Sequence, residues 1–438
     1  MSEFIATHAM QLSACILVIT YIFIAWEKIP KSVTALLGAC VTLLLGFVGQ
    51  EKFLDGQFNP HYFINFIDFN VIFLLVSMMI IVGIIAKSGV FGYIANLLLK
   101  YTKGKPILLL AALGIFTAVA SAFLDNVTTV ILIMPVTFFI ARKLEIDPVP
   151  FLFTEIFASN IGGTATLIGD PPNIIIGSAA GFSFMDFVNN LTGVIAVILI
   201  AMIALMVLCF KNKMKTSEEK MREVANVDNT GVITDKNLMI RSLTVLGLVI
   251  LGFVTHDITH IQTGVIAMLG ASVLLVFEKP TEVFKEVEWN TILFFIGLFI
   301  IIGGVEASGG IKQLAQWVLD ITHGSQTAAS MLILWTSGIV SGVIDNIPYT
   351  ATMAPMIAEI AKVEGASYAL PLWWCLSLGA CLGGNLTIIG AAANVIVSEF
   401  ATKENHPISF MRFMKYGSAT VFVSLLISTG YIWLRYLR

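Results

Sequence analysis

Two short acidic segments lie within apolar sequence, where their side chains could bind an ion. The first contains Asp125 and Asn126, and the second contains Asp345 and Asn346, 220 residues further along. An ionised group inside a membrane costs several kcal/mol unless it has a partner or a function. A carboxylate removed from water can exchange a proton for a cation, and an amide oxygen is a neutral ligand. The pattern predicts two halves of one ion or solute site, although each aspartate could instead only cap a helix.

Two further apolar segments contain the glycine pairs Gly162-Gly163 and Gly383-Gly384 near their centres. A glycine pair weakens a helix and lets a ligand approach the backbone. A helix broken there presents carbonyls to a cation and amides to an anion; the alternative is a pair used for close helix packing. The other candidate ligands are hydroxyl and amide residues near the breaks or the acidic segments: Thr128, Asn160, Thr164, Thr166, Asn173, Asn385, Thr387 and Asn394.

Three other residues are candidates for the site. Asp170 follows the first glycine pair and has no acidic counterpart in the second, so it is either a helix cap or a ligand. Glu155 is a candidate proton carrier together with Asp125 and Asp345. Cys381 is either a soft ligand for a metalloid or a small apolar filler.

The composition indicates a membrane protein. The chain of 438 residues is 57% hydrophobic and 12% charged, against about 25% charged for a soluble protein. A net charge of −3 argues against a nucleic-acid partner. Five cysteines in apolar segments imply no disulfide framework. We expect no cofactor, no metal site and no enzymatic activity.

Apolar segments of about 20 residues are long enough to cross a bilayer. We predict ten crossings and two re-entrant hairpins, because a polar turn without Lys or Arg suits a buried tip better than an aqueous loop; two ordinary helices and a loop are the alternative. The crossings are 10–26, 32–49, 70–86, 148–180 (interrupted), 187–210, 238–255, 261–277, 290–305, 370–400 (interrupted) and 416–434, and the hairpins are 106–141 and 326–361.

Four sequence blocks recur in the same order at a spacing of 220 or 221 residues, or 226 for the last. Each half contains five crossings, an odd number, so the second half enters the membrane from the opposite face. We therefore predict an all-α polytopic fold with an inverted repeat, which is the architecture of many secondary transporters. The first repeat is 1–210, a cytoplasmic linker is 211–236, and the second repeat is 237–438. With the N-terminus outside, 20 of the 25 Lys and Arg residues fall on the cytoplasmic side.

The Asp-Asn-Val-Thr-Thr segment from Asp125 and the block from Asn160 to Asn173 resemble the signatures of the ion transporter superfamily. The most similar branch contains ArsB-type arsenite pumps, NhaD-type sodium–proton antiporters and the melanosomal P protein. The resemblance implies a homodimer in the plasma (inner) membrane, with a scaffold domain and a transport domain that moves like an elevator. It also leaves room for a soluble ATPase subunit as a partner.

We accordingly expect a secondary transporter that exports arsenite or antimonite in exchange for protons, with sodium–proton antiport as the alternative. Carboxylates at both tips would repel a dicarboxylate or citrate unless extra cations compensate. A passive channel and an intramembrane aspartyl protease are the remaining alternatives. The Gly-x-Gly-Asp pattern of such a protease is missing from the sequence.

Overall fold

The fold is described from a computed structural model that covers residues 7–26, 28–46, 62–226 and 231–438, with a two-residue strand pair between Phe53–Leu54 and Gln57–Phe58. Apart from this strand pair, the regular structure of the described residues is helical. The chain is therefore an all-helical polytopic membrane protein, as the composition predicts.

Nineteen helices of eight or more residues form the described part of the chain. In order they are α1 (Ala9–Trp26), α2 (Lys31–Leu45), α3 (Phe69–Lys87), α4 (Val90–Thr102), α5 (Pro106–Ser121), α6 (Asn126–Leu144), α7 (Val149–Gly163), α8 (Pro171–Ala180), α9 (Phe184–Phe210), α10 (Glu218–Ala225), α11 (Lys236–Val254), α12 (Thr263–Leu275), α13 (Trp289–Ala307), α14 (Gly310–Ile321), α15 (Gln326–Ile344), α16 (Asn346–Glu364), α17 (Ala366–Gly383), α18 (Ala392–Lys403) and α19 (Phe410–Ile432). One-turn helices occur at His256–Thr259 and Pro280–Val283.

Nine helices within the described ranges are long and apolar enough to cross a membrane: α1, α3, α6, α9, α11, α13, α15, α17 and the segment Phe410–Leu437. The helices α2, α5 and α12 are shorter and also apolar. Length alone does not separate a hairpin arm from a crossing, because α6 and α15 each have 19 residues, about 28 Å at 1.5 Å per residue.

The helices occur in the same order in both halves. Each helix of the first half therefore corresponds to the helix of the second half whose number is ten higher, so that α1 corresponds to α11. The hairpin α5–α6 corresponds to α15–α16, and the interrupted helix α7–α8 corresponds to α17–α18. Local sequence sets the boundaries in both halves. For example, Ser183 begins α9 by accepting a hydrogen bond from the Asp186 N–H, and Ser409 begins α19 by accepting one from the Arg412 N–H.

The helices pack in two groups. In the first group, α2 packs on α13, α3 packs on α12, and α1 and α11 cover these pairs. In the second group, each hairpin packs on an interrupted helix, and α9 and α19 lie against them. The core of the second group is dense, since every residue of α7 is buried. The helices α4 and α14 connect the two groups.

The predicted segments agree with the helices to within a few residues, with some differences. The predicted crossing 32–49 corresponds to α2, which ends at Leu45, and residues 47–49 lie outside the described residues. The connecting helices α4 and α14 were not predicted, because their amphipathic sequences contain charged or polar residues such as Lys100 and Gln313.

The linker 211–236 makes specific contacts in its described parts, whereas its sequence predicts only a solvated connection. Lys220 pairs with Glu145, and Lys143 pairs with Glu223 at 3.0 Å. The Thr234 N–H donates to the Ser88 carbonyl at 3.0 Å. The linker thus holds the end of α6 and the end of α3. Residues 227–230 of the predicted linker lie outside the described residues.

Candidate functional site

The two aspartates of the hairpin turns begin the second helix of their hairpins. The Asp125 carboxylate accepts a hydrogen bond from the Thr128 N–H at 2.8 Å and one from the Thr128 hydroxyl. The Asp345 carboxylate accepts one from the Ile347 N–H at 3.1 Å. Asp125 is half-buried and Asp345 is buried. Both residues therefore act as helix caps, whatever further role they have.

Asp345 has a backbone φ of +95°, which a residue with a side chain rarely adopts. Such a conformation costs about 1–3 kcal/mol and is often found at functional sites. It turns the chain between α15 and α16 so that the carboxylate reaches both its own helix and the neighbouring group of helices.

The two hairpin tips meet at Asp170, which is fully buried. The Asn126 amide donates to Asp170 Oδ1 at 3.4 Å, and the Asn346 amide donates to Asp170 Oδ2 at 3.3 Å. The carboxylates of Asp125 and Asp345 both lie near enough to repel the charge of Asp170. Although Asp170 precedes α8, its side chain makes no capping hydrogen bond. Of the two roles open from the sequence, the geometry disfavours the cap and leaves the carboxylate at the centre of the site.

Asn160 connects the two interrupted helices. Its Oδ1 accepts a hydrogen bond from the Asn126 amide at 3.1 Å. Its own amide donates to Asn385 Oδ1 at 2.8 Å and to Asn394 Oδ1 at 3.1 Å. All four residues are buried, so this amide network links the first hairpin to the interrupted helix of the second half.

Asn173 and Asn394 hold the interrupted helices open in the same way in both halves. The Asn173 amide donates to the carbonyls of Thr164 at 3.0 Å and Thr166 at 2.8 Å. The Asn394 amide donates to the carbonyls of Gly384 at 2.7 Å and Thr387 at 2.8 Å. A buried carbonyl without a donor is costly, so these two asparagines satisfy the backbone that each break exposes.

The remaining predicted ligands of the breaks contact the protein itself. The hydroxyls of Thr166 and Thr387 donate to the carbonyls of Ala122 and Gly342, each in the hairpin of its own half. The Thr164 hydroxyl donates to the Asn160 carbonyl at 2.8 Å.

The glycine pairs provide close packing as well as the breaks. A Cβ on Gly162 would lie 2.1 Å from the Ala118 carbonyl oxygen, and one on Gly383 would lie 2.3 Å from Ser341 Oγ. Gly163 and Gly384 lie at the breaks, where a Cβ would meet the Gly169 carbonyl oxygen at 2.6 Å or the Gly390 carbonyl oxygen at 3.3 Å.

Different charged residues face the two aspartates of the tips. Lys31 Nζ lies 2.7 Å from Asp345 Oδ2. Near Asp125 the neighbour is instead Glu288, the residue before α13. Burial, and then the negative charge of Asp125, raise the pKa of Glu288 above its ordinary value. Lys31 and Glu288 were not predicted as site residues, because each lies at a helix end where a charged residue is common.

Two further candidates from the sequence are also buried. Glu155 is buried one turn before Asn160, and its carboxylate accepts a hydrogen bond from the Thr137 hydroxyl. Cys381 is also buried, and its thiol lies beside Asp170 and 3.6 Å from Asn173 Oδ1. Ser377 donates to the same Asn173 oxygen at 2.6 Å.

The structure thus brings Asp170, Asp345 and asparagines of both halves into one buried cluster, with the half-buried Asp125 near it. The acids are Asp125, Asp170 and Asp345, and the ammonium of Lys31 contacts Asp345. Such a cluster can exchange protons and can offer oxygen ligands to a small cation or to a neutral hydroxylated solute.

Comparison with known proteins identifies related sequences over almost the whole chain. Residues 21–379 match the citrate transporter family, CitMHS. An uncharacterized transporter of Mycobacterium tuberculosis (strain ATCC 25618 / H37Rv) is 42% identical over 424 residues, covering 96% of this chain and 97% of the relative. A 46 kDa membrane protein of Mycobacterium leprae is 41% identical over 425 residues, covering 96% of this chain and 98% of the relative.

The P protein of Mus musculus is 32% identical over 503 residues, which cover 96% of this chain and 59% of the P protein. The predicted resemblance to the ion transporter superfamily and its P-protein branch is thereby confirmed. Together with the helical fold and its candidate spans, these matches show that the chain is a membrane transporter that belongs to the citrate transporter (CitMHS) family.

Proposed function

We propose that this protein is a secondary active transporter that exchanges a small cation, with sodium as the first candidate, for protons. The proposal depends on one observation above all: Asn126 and Asn346, from hairpins in opposite halves, both donate to the buried Asp170 carboxylate. A cation that replaces a proton at this cluster would find carboxylate oxygens from Asp125, Asp170 and Asp345. The same groups would bind protons when the cation leaves, so one site would serve both ions.

The packing of the helices supports an elevator mechanism in this proposal. The first group, around α2, α3, α12 and α13, would be the scaffold, and the second group, with the hairpins and interrupted helices, would be the moving transport domain. The same proposal includes two halves of inverted orientation and hairpins that are re-entrant. It also includes a homodimer in the plasma membrane with the N-terminus outside.

Efflux of arsenite or antimonite is the second candidate, and Cys381 is the observation that favours it. Its buried thiol lies beside Asp170 and Asn173, and a thiol is a soft ligand for trivalent arsenic. The surrounding amides of Asn160 and Asn385 would bind the hydroxyls of arsenous acid.

Citrate is the substrate that the family description names. Three carboxylates in the cluster would repel a tricarboxylate, and Lys31 offsets only one of these charges. We therefore expect citrate to compete with the cation only when a divalent cation neutralises it. The same electrostatic argument favours the cation as substrate.

Reconstituted protein provides the test. Liposomes loaded at one pH would be challenged in turn with sodium, lithium, arsenite, citrate, and citrate with Mg²⁺, and proton and substrate fluxes would be measured together. We expect sodium to drive proton movement in the opposite direction. Flux of arsenite or citrate alone, with no proton movement driven by sodium or lithium, would overturn the proposal.

The Asp170→Asn variant is the most direct change. It keeps the size of the side chain and removes the charge to which both asparagines donate. A hydrogen bond to a charged group contributes about 1.5–3 kcal/mol, so we expect transport to fall by about tenfold to a hundredfold. Asp320→Asn is the matched control, because Asp320 is exposed on α14. Equal transport by both variants would exclude Asp170 from the mechanism.

A further inference from the structure

The helices α2 and α13 begin side by side and present their first residues to the hairpin tips. Ser32, the second residue of α2, donates to Oδ1 of Asn290, the second residue of α13, at 3.2 Å. At this edge, Lys31 pairs with Asp345, and Glu288 lies near Asp125. A cavity of about 240 Å³ lies at the same place, lined by Lys31, Asn290 and Asp345.

The helices α3 and α12 also begin side by side, and they form a second edge with the same kind of contact. The N–H of Gly264, the second residue of α12, donates to Oδ1 of Asn70, the second residue of α3, at 2.9 Å. By position in these helices, Thr263 corresponds to Lys31, and Asp68 corresponds to Glu288. A cavity of about 270 Å³ is lined by Asp68, Asn70 and Thr263, and neither Asp125 nor Asp345 is among the residues that line it.

The two edges differ in charge. The first offers the ammonium of Lys31 to Asp345, whereas the second has the Thr263 hydroxyl at that position and the Asp68 carboxylate beside it. Asp68 is bound by the N–H groups of Asn70 and Val71, at 3.0 and 3.1 Å, and by the Ser178 hydroxyl. If the two halves exchange conformations, as in the proposed function, Asp345 leaves Lys31 and comes to face Asp68.

We propose that Lys31 is a coupling residue: its ammonium holds Asp345 at the first edge, and Asp345 moves to the second edge only when a proton or the transported cation has replaced Lys31. The inference rests on the proposed exchange of conformations. Removing one partner from a buried ion pair leaves an uncompensated charge. A negatively charged Asp345 that moved toward Asp68 would lose the ammonium of Lys31 and would also be repelled by the Asp68 carboxylate. The coupling would therefore reside in this pair.

Several charged or titratable groups face Asp345. Lys31 contacts it from α2, Asp170 repels it from the interrupted helix, and Tyr21 lies near it from α1. The Tyr21 hydroxyl donates to the Pro348 carbonyl at 2.6 Å and lies 2.5 Å from Thr352 Oγ1. This contact joins the first group of helices to the second hairpin, so it reports whether the hairpin is at the first edge.

Chemical cross-linking between these two positions tests the inference. The exposed cysteines Cys15, Cys40 and Cys209 would be replaced by serine, and Tyr21→Cys and Thr352→Cys introduced into the full chain in liposomes. A bifunctional thiol reagent about as long as a tyrosine side chain would then be added across a pH range. We expect fast cross-linking at high pH, where the hairpin stays at the first edge, and a rate at least fivefold lower at acid pH or with saturating sodium.

Two variants of Lys31 separate charge from packing. We expect Lys31→Met to cross-link slowly at every pH and Lys31→Arg to retain both the fast rate and its pH dependence. Asp345→Asn should behave like Lys31→Met. Rates are divided by those of a Ser13→Cys, Ser308→Cys pair, whose hydroxyls lie 2.7 Å apart within the first group, so that the pH dependence of the reagent cancels.

The inference is overturned if Lys31→Met cross-links like the parent chain with the same pH dependence, or if the parent itself shows no pH dependence. This outcome differs from a failure of the proposed function. A chain without proton-coupled flux that still shows the expected cross-linking would refute the function and keep the ion pair as a conformational device. A coupled flux that Lys31→Met leaves unchanged would refute the inference and keep the function.

Discussion

Asp170 is the residue of the site at which the two halves of the repeat differ in charge. Its counterpart in the second half is Ala391, which is fully buried. Asn126 and Asn346 come from equivalent turns and donate to the same carboxylate. The two amides of the hairpin turns are therefore equivalent by the repeat, whereas the carboxylate to which both donate has no acidic counterpart in the second half.

The glycine pairs beside the breaks should not tolerate a larger side chain. For Gly162→Ala, the new Cβ would lie 2.1 Å from a backbone oxygen of α5, and backbone cannot move aside as a flexible side chain can. We expect the free energy of unfolding to fall by about 2–3 kcal/mol, visible as a lower midpoint of thermal unfolding in detergent.

Gly193→Ala is the matched control, because Gly193 also lies in a helix and has open space around its Cβ position. We expect it to be stabilising by about 0.5–1 kcal/mol. If both variants unfold at the same temperature, the close contact between α5 and α7 is not important for stability.

At the level of single residues, the sequence indicates which side chains belong to the site better than it indicates what they do. Asp125, Asn126, Asp345 and Asn346 are recognisable because polar residues inside apolar segments are rare. The role of Asn173 in binding freed carbonyls depends on the path of the backbone through the break. A linear pattern does not contain that path.

The contact between Lys31 and Asp345 could not be predicted for a different reason. The two residues are 314 positions apart and belong to opposite halves. Lys31 follows Pro30 at the start of an apolar helix, where a lysine commonly marks the end of a crossing. Only the packing of α2 beside the second hairpin gives it a partner.

Among the elements, the connecting helix α4 is held at both ends by the linker. A Cβ on Gly89, before α4, would lie 2.1 Å from the Val232 carbonyl oxygen, and one on Gly104, after it, would lie 2.3 Å from the Met221 carbonyl oxygen. Since α4 leads from the first group of helices to the first hairpin, the linker is in contact with a segment that must bend if the groups move.

The variant Gly104→Ala should reveal how firmly the linker packs. Gly104 has a φ of +65°, so alanine there costs about 1 kcal/mol in backbone strain. We expect the clash with the linker to lower the free energy of unfolding by about 1–3 kcal/mol more. Thermal unfolding in detergent measures the sum.

Gly181→Ala provides the comparison, because Gly181 has a similar φ of +68° with nothing near its Cβ position. Its cost should be the strain alone. Equal losses of stability in the two variants would indicate that the linker does not press on α4.

The placement of elements was predictable where apolar runs are long. The hairpins and interrupted helices follow from those runs together with the repeat, and their helices begin and end within a few residues of the predicted limits. The helices α4 and α14 have mixed composition, so an argument based on apolar length passes over them. Their amphipathic character becomes informative only when the groups that they join are known.

For the molecule as a whole, the inverted repeat remains a prediction about sidedness. It requires the loop after α6 and the loop before α15 to lie on opposite faces of the membrane. Glu145→Cys and His323→Cys place single thiols at these loops, both exposed. In a background without the other exposed cysteines, a membrane-impermeant maleimide should label His323→Cys from outside intact cells and Glu145→Cys only after permeabilisation.

Labelling of both positions from the same face would contradict the inverted arrangement and, with it, the exchange of conformations on which the coupling role of Lys31 rests. A thiol introduced at Asp186→Cys, at the start of α9, serves as a reference for the outer face in the predicted topology. Labelling at these three positions would establish the orientation of the two halves in the membrane without any transport measurement.

Asp170, the acid to which both hairpin asparagines donate, also distinguishes the two halves of the chain. Were Ala391 an aspartate as well, the second half would bury a carboxylate of its own, which would need a compensating partner. An acid present in one half alone avoids that cost. The two halves therefore cannot replace each other, even though their helices occur in the same order.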